Sequence, residues 1–248
     1  MISGLLRRST HAVRNVFVDF REFISPSLCL GCDGDIDSIK SFFCDNCRQS
    51  LLRENPGQGP VCPFCAPSAG VAGSCLSCVC PDPLRLFFWG AYDGLLKDSI
   101  IRFKFKGVVD LGKELTEMAV DALSSRLSQR KYDLIIPVPL HKSRQRKREY
   151  NQSEIIAGLL AERLNAEMNT GILIRVRRTG QQAKLAENDR WKNVKDAFAV
   201  AREIDLSEKS ILLVDDIVTT GATVFEASRP LQLSGARNID LFSLAFTL

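Results

Sequence analysis

All nine cysteines of this 248-residue chain lie between Cys29 and Cys80. Eight of them form C-x2-C pairs. In chain order the pairs are Cys29 and Cys32, Cys44 and Cys47, Cys62 and Cys65, and Cys75 and Cys78. A C-x2-C knuckle brings two thiolates together on a tight turn, and two knuckles complete a tetrahedral shell of four sulfurs. The pattern predicts two stacked zinc ribbons, in which consecutive knuckles pair because each short spacer fits one hairpin.

Disulfides and an iron–sulfur cluster are the alternatives for these cysteines. Disulfides are disfavoured because the N-terminus, with Arg7, Arg8 and Arg14, lacks the clean apolar core of a signal peptide. A cluster stays open as an alternative, although paired knuckles with hairpin-length spacers suit zinc better. We expect both zinc ions to be structural, since four thiolates leave no open coordination position, and we expect Cys80 to take no part.

The cysteine pattern also divides the chain into three predicted segments. Residues 1–27 are predicted to form an amphipathic helix that packs on the protein or, alternatively, lies on a membrane surface. Its apolar stripe consists of Val13, Val16, Phe17, Phe20, Phe23 and Ile24. Residues 28–82 are the predicted double zinc ribbon, and residues 83–248 are a cysteine-free domain. No apolar run approaches the roughly 18 residues that span a bilayer, so we expect a cytoplasmic protein without stable membrane insertion.

Apolar strands alternate with helices in the cysteine-free domain. Leu84–Tyr92 and Tyr132–Pro139 are predicted strands, Asn151–Asn165 is a predicted amphipathic helix, and ILIRV, AFAV, SILLVDD and NIDLFSLAF are further predicted strands. Such alternation is typical of an α/β fold, a mostly parallel sheet flanked by helices. Sheets of this kind bind ligands at the carboxyl ends of their strands.

The stretch ILLVDDIVTTGAT, from Ile211 to Thr223, predicts a ligand site at that edge. Four apolar residues lead into Asp215 and Asp216, and a loop of small residues then opens a helix from about Ala222. The backbone N–H groups of such a loop converge on one point, which suits a phosphate. Two carboxylates would repel that phosphate unless they bind hydroxyl groups or a metal cation. A sugar phosphate with vicinal hydroxyls meets both conditions.

This stretch resembles the phosphoribosyl-pyrophosphate (PRPP) motif of type I phosphoribosyltransferases. The alternative is a response-regulator-like strand whose paired acids hold Mg²⁺, but that strand does not require the TTGAT loop. The order of the wider segments resembles the ComF family of bacterial proteins, which is associated with natural transformation and DNA uptake. Its segments are the paired knuckles, then RFKFKG, PVPLHKSRQRKREYNQS, TGQQAKLAENDRWKNVKDAF and the PRPP motif. The resemblance covers nearly the whole chain from Cys29 onward.

The resemblance implies a type I phosphoribosyltransferase fold that binds PRPP together with Mg²⁺. Asp215 and Asp216 would hold the ribose hydroxyls and act in catalysis. The loop that follows would hold the 5′-phosphate through its small residues. These are Thr219, Thr220, Gly221, Ala222 and Thr223.

Two further loops are implied by the same resemblance. The loop after Pro137-Val138-Pro139 would meet pyrophosphate through Arg144 and Arg148. The segment from Thr179 to Asn193 would be a mobile loop that closes over the site, and it would contribute Arg190 to catalysis. The chain departs from the family at Glu149, where a glycine is usual, and a carboxylate there is expected to weaken anion binding.

Two basic segments keep other interpretations open. The segment from His141 to Glu149 is a solvated loop, a pyrophosphate contact or a nucleic-acid contact. The RFKFKG segment interleaves aromatic and basic residues, as proteins that bind single strands do. We favour a core role for it, with Ile101, Phe103 and Phe105 packed against the sheet. Lys104 matches the lysine of the family at that position.

These patterns leave three hypotheses for function. The first is a PRPP-dependent transferase, a pentosyl glycosyltransferase whose acceptor the sequence does not identify. The second is an adaptor for DNA uptake, whose zinc ribbons and basic loops engage single-stranded DNA or DNA-uptake and recombination proteins. The third is a regulator that senses PRPP without turnover.

Overall fold

The computed structural model describes residues 28–36, 41–53, 84–105, 108–141, 150–177, 179, 187–201 and 204–247. The chain divides into two compact units, Met1–Leu51 and Leu52–Leu248. The segment boundaries predicted after residues 27 and 82 fall at the edge of the described ranges or outside them, and they stay predictions. The helix predicted over residues 1–27 also lies outside the described residues.

The second unit alternates strands and helices along the chain, as the apolar pattern predicts. A first helix, α1 (Asp45–Arg53), precedes them. The elements then follow as β1 (Arg85–Ala91), α2 (Gly94–Phe105), α3 (Val109–Leu127), β2 (Leu134–Pro137), α4 (Gln152–Leu164), β3 (Glu167–Met168), β4 (Leu173–Arg175), α5 (Glu187–Val194), β5 (Phe198–Val200), β6 (Ser210–Val214), β7 (Ile217–Val218), α6 (Ala222–Leu233) and β8 (Asn238–Phe246). Among the helices described, none is long and apolar enough to cross a membrane.

A parallel sheet forms the centre of this unit. Its strand order is β1-β8-β6-β2-β3, with β7 added beside β8, and every one of these pairings is parallel. Both β2 and β6 are buried along most or all of their length, because a parallel sheet is covered on both faces. The predicted α/β fold with a mostly parallel sheet is confirmed.

Helices and a small second sheet cover the two faces. On one face, Phe88, Ile136 and Leu213 belong to a core that also contains Ala227 of α6. Side chains alternate along a strand, so Phe87 and Ile135 point to the opposite face. There α3 packs on β1 and β8, and α4 packs on β2, β3 and β6.

The predicted strands ILIRV and AFAV pair with each other and do not join the parallel sheet. They form β4 and β5, an antiparallel pair in which Ile174 lies opposite Ala199. Leu173 and Phe198 are buried in the core that contains α6, whereas Ile174 is exposed. Only alternate residues of this short pair therefore face apolar surroundings, as expected for a two-stranded sheet packed on one side.

A core role was predicted for Phe103 and Phe105 of the RFKFKG segment and for Ile101 directly before it, and it is wrong for two of these three residues. Phe103 is fully buried, but Phe105 is 65% exposed and Ile101 is 36% exposed. Residues 101–105 form the last part of α2. Residues two apart lie on different sides of a helix, so only one of the three can face the core.

Candidate functional site

The N-terminal unit brings four cysteine sulfurs together. Cys29, Cys32, Cys44 and Cys47 have sulfur atoms that all lie within 4.8 Å of one another. The first knuckle sits on a tight turn in which the N–H of Asp33 donates to the carbonyl of Cys29. The second pair lies at the start of α1, where Cys44 directly precedes the helix and Cys47 lies in its first turn. Two distant turns thus present two sulfurs each to one point.

This cysteine cluster has the dimensions of a zinc shell. A tetrahedral site with Zn–S distances of about 2.3 Å places its sulfurs about 3.8 Å apart. The Sγ atoms of Cys32 and Cys44 are 3.7 Å apart. Zinc bound there would be closed off by four thiolates and would act as a structural cross-link. The first predicted ligand set therefore fits zinc.

Backbone groups prepare Cys29 for the thiolate form. The N–H of Cys44 lies 3.3 Å from its sulfur and the N–H of Gly31 lies 3.4 Å from it. Burial acts to raise the pKa of Cys29, but these N–H donors, together with the N–H of Cys32 and the Cys47 thiol, outweigh it and bring the pKa down to about 6. The other predicted ligands, Cys62, Cys65, Cys75 and Cys78, lie outside the described residues, and a second zinc ion stays a prediction.

In the second unit, Asp215 and Asp216 lie between β6 and β7 at the carboxyl edge of the sheet. Val214 pairs with Phe242 and Ile217 pairs with Ala245, so the register is the same before and after the acids. The N–H of Asp215 donates to Phe242, and the carbonyl of Asp216 accepts from Leu244. The backbone of the acidic pair is therefore held by β8, and its side chains are presented from a rigid element.

Each carboxylate contacts a side chain from a distant element. The Lys104 Nζ atom, at the end of α2, lies 2.9 Å from Asp216 Oδ1. The Ser153 hydroxyl, in the first turn of α4, donates to Asp215 Oδ1 at 3.1 Å. Neither contact was predicted from the sequence, where Lys104 had only a family match. The apolar-to-acidic pattern shows where carboxylates stand, but it carries no signal for partners far away in the chain.

The surroundings lower the charge of the acidic pair. Burial raises the pKa of Asp215 to about 7, and the charge of Asp216 acts in the same direction. Lys104 and the hydroxyl of Ser153 favour the ionised form and offset only part of this rise. Together with the ammonium of Lys104, the pair therefore presents far less than two negative charges near neutral pH.

Tyr92, which follows β1, lies in the same electrostatic environment. Burial raises the pKa of Tyr92, while the charges of Lys104 and Asp216 act on it in opposite directions. The N–H of Tyr92 donates to Phe246 at the end of β8. The sequence pattern had given Tyr92 only as the end of a strand.

The loop after the acids enters α6 through a glycine in the left-handed conformation. Gly221 has φ +75°, a left-handed conformation that glycine adopts without strain, and it directly precedes α6. No side chain caps this helix terminus, and the first N–H groups of a helix have no acceptor within the helix. In this part of the described chain, the buried Oγ1 of Thr220 has no hydrogen-bond partner. The loop and the adjacent acidic pair, Asp215 to Thr223, are called the acidic-loop site below.

The start of α4 fixes the position of Lys104. The Tyr150 hydroxyl donates to the carbonyl of Phe103, and the Gln152 amide lies 3.5 Å from the carbonyl of Lys104. Asn151 caps α4 by accepting from the N–H of Ser153 at 3.2 Å. The residues directly after the basic segment thus hold the ends of α2 and α4 beside the acidic pair.

Of the three arginines predicted to act at the site, the structure describes one. Arg144 and Arg148 lie outside the described residues, as does the middle of the predicted mobile loop, residues 180–186. Arg190 lies in α5, so the last part of that predicted loop is helical. The reason is packing: Trp191 meets Phe225 of α6 edge-on at 5.7 Å between ring centroids. The catalytic role of Arg190 stays a prediction.

Known proteins resemble this chain over most of its length, although no family model matches it. Competence protein F of Haemophilus influenzae is 30% identical over 224 residues, which cover 88% of this chain and 96% of that protein. The DNA utilization protein YhgH of Salmonella typhimurium is 28% identical, with 90% and 98% coverage. Competence protein ComFC of Bacillus subtilis is also 28% identical, with 89% and 95% coverage.

Solved structures resemble the chain more weakly. A glutamine PRPP amidotransferase from B. subtilis has 21% identity and a TM-score of 0.33, and the match covers 53% of this chain and 24% of that one. At this score the likeness adds nothing to the fold, which the strand order already defines. The full-length matches and the ordered motifs agree, and the chain belongs to the ComF family.

Proposed function

We propose that the acidic-loop site binds PRPP together with Mg²⁺. One observation carries the proposal: in a single rigid stretch, a partly neutralised acidic pair directly precedes a glycine-opened helix terminus and an unpaired buried hydroxyl. Vicinal hydroxyls of a ribose suit the carboxylates of Asp215 and Asp216. A 5′-phosphate suits the loop from Thr219 to Thr223, which combines N–H donors, hydroxyls and the positive end of a helix.

The charge balance supports a phosphorylated sugar as ligand. Two full negative charges beside the loop would repel a phosphate, but Lys104 pairs with Asp216 and burial favours the protonated form of Asp215. A protonated carboxyl also donates one hydrogen bond and accepts others, which matches a hydroxyl that does the same. The carboxyl edge of a parallel sheet is where such ligands bind.

The proposed reaction is transfer of the phosphoribosyl group to a nitrogen acceptor with release of pyrophosphate. Asp215 and Asp216 would hold the ribose while its C1 atom gains positive charge, and Arg190, Arg144 and Arg148 would neutralise the departing pyrophosphate. Catalysis of this kind depends mainly on positioning and electrostatic stabilisation. Bound Mg²⁺ would supply further charge neutralisation. A regulator that binds PRPP without turnover is the second form of the same proposal.

The names of the relatives support a role in DNA uptake during competence. The proposal places this role in the cytoplasm, with single-stranded DNA and DNA-uptake or recombination proteins as partners. The cysteine cluster and a second one over residues 62–78 would hold two structural zinc ions. These ions would keep the N-terminal unit folded, and they take no part in the proposed transfer.

Calorimetric titration of Mg²⁺–PRPP into the full chain tests the binding proposal. The double variant Asp215→Asn, Asp216→Asn should lose at least about 100-fold in affinity, because the carboxylates accept charge-assisted hydrogen bonds from the ribose hydroxyls. Asp110→Asn, which removes an exposed acid on α3, is the matched control and should bind as the wild type does. Wild-type protein that binds no PRPP would refute the proposal. Pyrophosphate release across nitrogen acceptors then separates a transferase from a sensor.

A further inference from the structure

Lys104 is an internal counter-ion of the acidic-loop site. Its Nζ atom lies 2.9 Å from Asp216 Oδ1, and the two side chains are only 18% and 11% exposed. The two residues come from different elements, the end of α2 and the turn between β6 and β7. An ion pair with so little solvent contact interacts strongly, because little water screens it.

Packing holds this ammonium in position. Phe103 lies against Gly112 of α3, where a Cβ atom would come within 2.2 Å of the Phe103 ring. The Tyr150 ring stacks on Phe103 with 6.0 Å between centroids. Its hydroxyl donates to the Phe103 carbonyl and so holds the end of the helix in place. Together with Gln152 at the Lys104 carbonyl, these contacts fix the end of α2 beside the acids.

A purely structural ion pair is the competing interpretation. Buried ion pairs contribute little net stability, because desolvation offsets most of their attraction. The carboxylate that Lys104 meets also belongs to the proposed ligand site, not to the supporting framework. A cation at this place changes what the carboxylates can bind, because it weakens the binding of a second cation and reduces the repulsion of an anion.

We infer that Lys104 is a specificity-determining residue. Its ammonium stands beside Asp216 where a free divalent cation would otherwise bind. The site therefore accepts an anionic sugar phosphate and disfavours a free divalent cation. The ligand class rests on the proposed function. The charge effect does not, since it follows from the ion pair alone. A divalent cation would then enter this site together with the phosphorylated sugar, whose own negative charges it neutralises.

Titration with Mn²⁺ in the absence of PRPP tests the charge effect, with free Mn²⁺ followed by electron paramagnetic resonance. Lys104→Met should bind Mn²⁺ at least about tenfold more tightly than the wild type, because one charged partner at this range shifts binding of another cation by about one to three logarithmic units. Lys104→Arg should bind as weakly as the wild type. The double variant Lys104→Met, Asp216→Asn should lose the gain. A structural role alone predicts no gain in Mn²⁺ affinity.

Equal Mn²⁺ affinity in Lys104→Met and wild type would overturn the inference, as would a gain that persists in the double variant. If Lys104→Met does not fold, Lys104→Gln makes the same charge change and keeps a donor for Asp216. Titration of the same proteins with Mg²⁺–PRPP distinguishes the two proposals. If the wild type does not bind PRPP while Lys104→Met gains Mn²⁺ affinity, the proposed ligand is refuted and the charge effect is retained.

Discussion

Two groups of buried charges lie at opposite edges of the same parallel sheet. Asp240, near the start of β8, accepts from Arg85 and Arg130 through both carboxylate oxygens, and its Oδ2 also accepts from Tyr132 at 2.8 Å. Its side chain is 2% exposed. The acidic-loop site lies at the carboxyl edge, where the described partners of Asp215 and Asp216 are a single serine, a single lysine and one backbone N–H.

The two groups differ in whether their carboxylates are fully paired, and this difference distinguishes a charge with a structural role from a charge available for binding. At Asp240 two guanidinium groups and a phenol saturate one carboxylate and join β1, β8 and the turn before β2. At the carboxyl edge two carboxylates share one ammonium, burial raises a pKa, and the Thr220 hydroxyl next to them has no partner. Buried polar groups are normally satisfied, so a cluster that is left incomplete in a rigid frame points to a ligand.

The largest effect on stability should follow from removing the charge of Asp240, whose carboxylate is fully paired. Asp240→Asn should lower the free energy of unfolding by about 3 kcal/mol, because removing one partner of a buried ion pair leaves charges without compensation. The loss should sit at the low end of that range, since Arg85 and Arg130 are 31% and 29% exposed and can regain water. Urea denaturation measures it.

The control for that variant is an exposed acid. Asp110 pairs with Lys113 on the surface of α3, with side chains 78% and 51% exposed. Asp110→Asn should change the free energy of unfolding by less than about 1 kcal/mol. Losses of similar size at Asp110 and Asp240 would contradict the structural role given to the Asp240 group.

A smaller effect should appear as a pH dependence at the opposite edge. The pKa of Asp215 lies near 7 in the folded chain, above its ordinary value of 3.8, so the folded chain binds this proton more tightly than the unfolded chain. Linkage then makes the contribution of Asp215 to stability fully present below about pH 4 and progressively lost as pH rises to about 7. Asp215→Asn should flatten this slope in urea denaturation between about pH 5 and pH 7.

The comparison with wild type across that range is the decisive one. The variant should be the relatively more stable protein at the upper end, because it no longer keeps a desolvated carboxylate. A constant difference between Asp215→Asn and wild type from about pH 5 to pH 7 would show that Asp215 titrates as an ordinary acid. The contrast between the two edges would then lose its electrostatic basis.

One hydroxyl at each edge offers a further comparison, and the smallest effect is expected at Thr220. Tyr132→Phe removes a donor to a buried carboxylate and should cost about 1.5–3 kcal/mol. Thr220→Val replaces a hydroxyl without a partner by a methyl group of similar shape, and it should change stability by less than about 0.5 kcal/mol or raise it. Thermal unfolding measures both. A loss at Thr220 as large as that at Tyr132 would mean that its hydroxyl is already satisfied.

Thr220→Val should nevertheless weaken PRPP binding by about tenfold, the value of one hydrogen bond to a charged group. Calorimetric titration of Mg²⁺–PRPP measures this change. Unchanged affinity would remove Thr220 from the proposed phosphate contacts without affecting the roles of Asp215 and Asp216.

Much of the fold could be predicted from local pattern. Buried β6 and the helix after Gly221 were expected from four apolar residues, two acids and a small-residue loop, and they occur where predicted. Prediction failed at Ile101 and Phe105, which were expected in the core and are exposed, and the strand pattern did not indicate that β4 and β5 would pair with each other. Periodicity describes one element, and it does not say which element the next strand will meet.

Features that depend on neighbouring residues could be predicted without a structure. Knuckle spacing brings Cys29, Cys32, Cys44 and Cys47 to one point, because short hairpins allow few arrangements. The stretch from Asp215 to Thr223 likewise contains its acids, its glycine and its helix start in one continuous run, which is why it could be recognised without a structure.

The charge of that site depends instead on contacts between distant parts of the chain. Lys104 reaches Asp216 and Ser153 reaches Asp215 from α2 and α4, across long stretches of intervening chain. At the other edge, Arg130 and Tyr132 likewise donate to the Asp240 carboxylate from far away in the chain. Contacts of this kind leave no periodic trace in the sequence, because they depend on where packed helices end relative to the sheet. The protonation state of a side chain depends on its burial and on its neighbours in space, and both arise only when the chain has folded.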